Sequence, residues 1–116
     1  MRKSIIFFLV WLCIATVPNT SLAAPIIEVD LHIENHEFIP NVLELPAGTK
    51  IILNVYNDDP TIEEFESIDL KREKIILANS KTRIVLAPLK EGEYKFFGEF
   101  NEKTAQGKII VKTKES

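Results

Sequence analysis

The chain has 116 residues, 46% of them hydrophobic, with 17 acidic against 14 basic residues and a formal net charge of −3. That length sets a single domain, and the acidic balance argues against nucleic acid and anionic membrane surfaces as partners. Cys13 is the only cysteine and Met1 the only methionine, so an intrachain disulfide framework is excluded.

Arg2 and Lys3 precede an apolar stretch over 5–17, which Asn19, Thr20 and Ser21 break. Ser21-Leu22-Ala23 then places small residues where a cleavage site needs them, ahead of Ala24. This is the pattern of a secretory signal over 1–23, and its apolar run is short of the roughly 20 residues of a membrane span. Cys13 follows Leu12 in mid-run, where a lipoprotein signal wants a small residue before its cysteine. The expected mature chain, 24–116, therefore has neither cysteine nor methionine. A disulfide-free domain in an oxidising compartment fits a bacterial periplasm better than the disulfide-dense secreted domains of animals. No later apolar run is long enough to cross a bilayer, so no membrane span is expected after the leader.

The body reads as short strands divided by turn residues. Ile27, Val29, Leu31 and Ile33 alternate with Glu28, Asp30 and His32, a half-buried strand. A short strand over 42–45 stops at Pro46-Ala47-Gly48. Lys50–Asn57 follows, with Ile51, Leu53 and Val55 on one face and Ile52, Asn54 and Tyr56 on the other. Asn57-Asp58-Asp59-Pro60 has strong turn chemistry. The segment 62–70 lacks clean alternation and reads as a long connection with a helical turn. Further strands are expected over 74–77, 83–86, 94–97 and 109–111, marked off by Asn79-Ser80, Pro88, Gly92 and Gly107. About seven strands and no long helix predict an all-β sandwich in one domain, 24–116.

Three segments give that sandwich a family likeness. Phe38-Ile39-Pro40 leads to Leu45-Pro46-Ala47-Gly48. Val55-Tyr56-Asn57-Asp58-Asp59 leads to Glu64-Phe65-Glu66-Ser67. Gly92-Glu93-Tyr94-Lys95-Phe96-Phe97 leads to Gly107-Lys108-Ile109-Ile110-Val111. Together, over 33–111, they resemble the cupredoxin family, whose fold is a Greek-key β-sandwich. The departures are informative. Where a copper cupredoxin carries its first histidine, this chain offers Glu63, Glu64 and Glu66; where it carries cysteine, Gly98; its second histidine, Asn101; its methionine, Ala105. The loss of all four ligands and the E-F-E triplet are similar to the small periplasmic branch found with bacterial iron uptake, the EfeO-type and Ftr-type domains. That resemblance implies an iron or copper ion as cofactor without a blue-copper centre. It implies as partner an iron permease or a periplasmic metal-binding protein.

The residues themselves admit such chemistry. Glu64 and Glu66, two apart in an extended segment, share one face. Glu99 and Glu102 lie in the last loop, which a cupredoxin folds against the first. Hard carboxylates from two loops suit iron, manganese or Cu(II), with water completing the shell; close carboxylates otherwise repel. His36, just before Phe38, is the best-placed imidazole. The candidate ligands are thus Glu64, Glu66, Glu99 and His36, against the alternative that they are solvated surface groups. His32, alternating with core residues, is expected to face solvent. The run Lys71-Arg72-Glu73-Lys74 reads as a solvated edge, and Tyr94, Phe96, Phe97 and Phe100 as core and loop anchors. No Ser-His-Asp or Cys-His order and no Gly-rich phosphate loop is present, so hydrolytic and nucleotide chemistry are set aside. The expected function is accessory to uptake of a metal, iron above all. A docking module without a metal site is the alternative, and an independent oxidase is the least favoured.

Overall fold

In the computed structural model, residues 25–113 are described, and they form nine strands and one 3-10 turn. The leader, with Cys13 and the cleavage expected after Ala23, lies outside the described residues. In chain order the strands are β1 (Ile26–Glu34), β2 (Glu37–Ile39), β3 (Val42–Pro46), β4 (Lys50–Asn57), β5 (Glu63–Ser67), β6 (Arg72–Ile76), β7 (Ser80–Leu86), β8 (Gly92–Gly98) and β9 (Gln106–Lys112), with the 3-10 turn at Glu99–Asn101. One sheet has the order β2-β1-β4-β7, the other β3-β9-β8-β5-β6. Among the described residues no helix is long and apolar enough to cross a membrane.

The expected all-β sandwich is present, with nine strands rather than about seven. One addition is β2, which pairs back on β1 through a two-residue turn, Asn35-His36, with φ of 52° and 59°. Two consecutive positive φ values make the tight hairpin that follows the twist of its strands. The other is β5, which corrects the reading of 62–70 as a connection with a helical turn. Its alternation is hidden because two of its inward positions are polar: Glu63 and Ser67 flank Phe65 on the buried face. The inner faces of the sheets close over Leu31, Ile33, Ile51, Leu53, Val55, Phe65, Leu86, Phe96 and Ile109. Phe96 packs against Phe38 edge to face (centroids 4.9 Å) and stacks on Phe65 (5.2 Å). A side chain on Gly107 would start 2.4 Å from the Phe96 ring, so only glycine fits beneath that aromatic cluster.

Within the Asn57–Pro60 loop, Asn57 and Asp59 form a buried polar hub, while Asp58 and Pro60 stay exposed. Asn57, 1% exposed, donates its side-chain N–H groups to the carbonyls of Thr61, Ile76 and Leu77. Asp59 accepts the Asn35 and His36 N–H groups at 2.7 and 2.9 Å. One loop therefore fixes the β1–β2 turn and the far end of β6.

Candidate metal centre

β5 carries four acidic or hydroxyl side chains, and the two-residue period of a strand sorts them. Glu63 and Ser67 point inward with Phe65; Glu64 and Glu66 point outward. The outward pair meets two further carboxylates. Glu73 stands on β6 directly opposite Glu66 in the antiparallel register, and Glu99 opens the 3-10 turn that follows β8. One carboxylate oxygen from each of Glu64, Glu66, Glu73 and Glu99 lies within 4.8 Å of the other three.

Carboxylates this close disfavour one another's charged form. Glu64 is 7% exposed, and its carboxyl is pushed up to about 8 from the usual 4.5. The largest cause is a hydrogen bond shared with Glu73, followed by burial and by the bond and charge of Glu99. Glu66 is raised in the same direction, first by a hydrogen bond with Glu99, then by burial and the charges of Glu99, Glu73 and Glu102. The group is a set of oxygen donors in which crowding favours the protonated form of Glu64 and Glu66, the arrangement in which a hard cation takes the place of protons.

Of the four ligands expected from sequence, Glu64, Glu66 and Glu99 come together here. His36 is not in the group: its Nδ1 is 3.6 Å from Asp59 Oδ2, and it lines a shallow depression with Glu99, Phe100 and Asn101. Glu73 completes the cluster and was assigned to a solvated edge on sequence. Only the β5–β6 register places it opposite Glu66, and sequence does not give that register.

The inward carboxylate has a different environment. Glu63, 2% exposed, accepts the backbone N–H groups of Glu64 and Phe100 at Oε1, both at 3.0 Å, and the Asn101 side-chain amide at Oε2, 2.7 Å. It holds the last loop to β5. Gly98 and Ala105 face the same point: a Cβ on Gly98 would lie 2.7 Å from Glu63 Cδ and 2.7 Å from Ala105 Cβ. The Gly98 N–H donates to the Ala105 carbonyl (2.8 Å), and the Ala105 N–H to that of Asn101 (2.8 Å). Three positions at which the resemblance places copper ligands, 98, 101 and 105, thus close around one carboxylate.

The model of the family described as "Cupredoxin-like domain" matches residues 4–111. A protein of Rickettsia prowazekii, strain Madrid E, known only as uncharacterized, is 55% identical over 86 residues, 74% of this chain and 69% of that protein. Among solved structures, the chain is similar to the metal-binding domain, with Cu(I), of the Cu(I)-exporting P-type ATPase CopA of Streptococcus pneumoniae (TM-score 0.68, 18% identity, 79% of this chain, 91% of that one). It is also similar to auracyanin A, a "blue" copper protein of Chloroflexus aurantiacus (TM-score 0.66, 11% identity, 76% of this chain, 100% of that one). At these identities the likeness is one of fold.

Proposed function

This chain belongs to the cupredoxin-like domain family, and from that premise we propose that it is a periplasmic accessory of metal uptake that binds a hard ion, iron before others, through Glu64, Glu66, Glu73 and Glu99. The observation that carries the reading is the cluster itself: four carboxylates with oxygens within 4.8 Å of one another, one of them nearly buried. Close carboxylates repel, so clustering them costs stability without a cation, and carboxylate sets of this kind suit iron, manganese or other hard ions.

Copper at the family's own position is a different matter. The two solved relatives are copper proteins by name, and a blue-copper or Cu(I) site asks for thiolate or thioether. At that position this chain presents a carboxylate with three hydrogen bonds, an amide side chain and an alanine methyl. Those residues do not fit a soft copper ion, and we assign no blue-copper centre to them. In the proposed reading Glu64, Glu66, Glu73 and Glu99 take the ion from solution, releasing the protons of Glu64 and Glu66, and pass it to an iron permease or a periplasmic metal-binding protein. An N-terminal leader over 1–23 delivers the protein to that compartment.

Thermal melts with and without Mn(II), Fe(II) and Cu(II) test the reading. A metal that binds the folded chain alone raises stability by RT ln(1 + [L]/Kd), about 2.7 kcal/mol at a hundredfold excess over Kd. Without metal, Glu64→Gln or Glu66→Gln is expected to melt at or above wild type, because repulsion is relieved. With metal, the same variants are expected to melt below it. Identical metal shifts in all three proteins would refute the site and favour a docking module.

A further inference from the structure

The four-stranded sheet carries a second set of ligand atoms, on its outer face, that the reading above does not use. His32 and Glu34 are two residues apart on β1 and project to the same side, opposite the buried Leu31 and Ile33. Asp58 follows directly on β4, which runs parallel to β1 with Ile33 opposite Asn57. One ligand atom from each of His32, Glu34 and Asp58 lies within 4.8 Å of the other two.

Two of the three sit on fixed supports, and the third adjoins a braced turn. The imidazole of His32 lies flat on the ring of Tyr56, centroids 4.6 Å apart and planes within 9°. Its Nδ1 is 2.6 Å from Asp58 Oδ2. The Asp58 N–H donates to the Ile33 carbonyl at 2.9 Å. Glu34 is followed by the Asn35-His36 turn, whose two N–H groups are bound by the Asp59 carboxylate. His32 and Asp58 therefore need little ordering when an ion arrives. A zinc ion about 2.0–2.1 Å from each of two ligand atoms at a tetrahedral angle needs roughly 3.3 Å between them. The His32–Asp58 pair reaches that by opening less than about 1 Å.

We propose that His32, Glu34 and Asp58 form a second metal site, for a borderline divalent ion such as Zn(II), with water in the remaining position. One imidazole and two carboxylates are the mixed nitrogen and oxygen donors such an ion takes. The all-oxygen set on the other sheet suits harder ions. The two sites are separable by which side chains respond, since only one of them contains an imidazole.

The test is a titration with Zn(II) alone, on protein purified as the cell processes it, followed by NMR of the imidazole nitrogens and by calorimetry. The His32 resonances are expected to shift and saturate with one equivalent, while those of His36 stay in place. His32→Gln and Asp58→Asn are each expected to weaken zinc binding at that site at least tenfold, whereas Glu44→Gln, at an exposed position of β3 in the other sheet, leaves it intact. Zinc binding unchanged in His32→Gln, a response at His36 in place of His32, or no zinc binding at all would overturn the proposal. The carboxylate site, read with Mn(II), stands or falls separately.

Discussion

Glu63 and Glu64 are consecutive residues of the same type on one strand, both nearly buried, yet they face opposite problems. Glu63 points into the sandwich and meets three donors, two backbone N–H groups and the Asn101 amide. Glu64 points outward and meets Glu73 and Glu99. The inward carboxylate holds the last loop to β5; the outward one is crowded by its own kind and has capacity for a cation. Burial alone therefore does not say what a carboxylate is for: its neighbours' donors or acceptors do.

The sharpest way to break the contrast is to remove each side chain. Glu63→Leu is expected to be the most destabilising single change considered, because it leaves buried donors unpaired at about 1–3 kcal/mol each. Glu64→Leu is expected to cost far less in the absence of metal. Urea unfolding of both variants checks this, and equal losses would erase the distinction. Next in size is Gly98→Ala. The added methyl starts 2.7 Å from both Glu63 Cδ and Ala105 Cβ, and overpacking of that order costs about 1–3 kcal/mol. A Gly98→Ala protein as stable as wild type would mean that the Glu63 pocket is looser than its geometry.

Acidity separates the two faces in another way. A carboxyl raised from 4.5 to about 8 in the folded chain holds its proton there after the unfolded chain has lost it. Its contribution is complete below about pH 4.5 and is lost as pH rises through about 8, so metal-free stability is expected to fall across that window. Glu66 adds to the fall with the same sign. Melting temperatures measured from pH 4 to pH 9 are expected to show a decline that Glu64→Gln flattens. Metal changes the picture, because its binding displaces the protons of Glu64 and Glu66: affinity for Mn(II) is expected to rise over the same pH range. The smallest effect is expected from Glu73→Gln, which removes one like-charged partner directly across from Glu66. Such cross-strand pairs are worth about 0.2–1 kcal/mol, and the metal-free variant is expected to be slightly more stable.

The sequence made one side of this comparison legible. Glu64 and Glu66 follow from the strand period, and Glu99 from the family likeness of the last loop. Glu73 required the pairing register of β5 with β6, a long-range fact absent from local pattern. For Glu63 the local pattern holds a signal: in Glu63-Glu64-Phe65-Glu66, a buried Phe65 puts Glu63 on the same inward face. What made that hard to credit is the cost of an inward acid, and the donors that offset it, Phe100 and Asn101, lie on a turn far along the chain. The same gap hid β5 as a strand. Turn chemistry alone does not reveal the hub at Asn57 and Asp59, because its partners, in the β1–β2 turn and at the end of β6, are equally remote.

The parallel pairing of β3 with β9 has a consequence in time. Val42 lines up with Lys108 and Leu45 with Val111, so an early strand has no neighbour in its own sheet until the last one has been made. Among the described strands β3 pairs with β9 alone, and pairings this distant in sequence are slow to form. The sandwich is therefore expected to close only once β9 is in place.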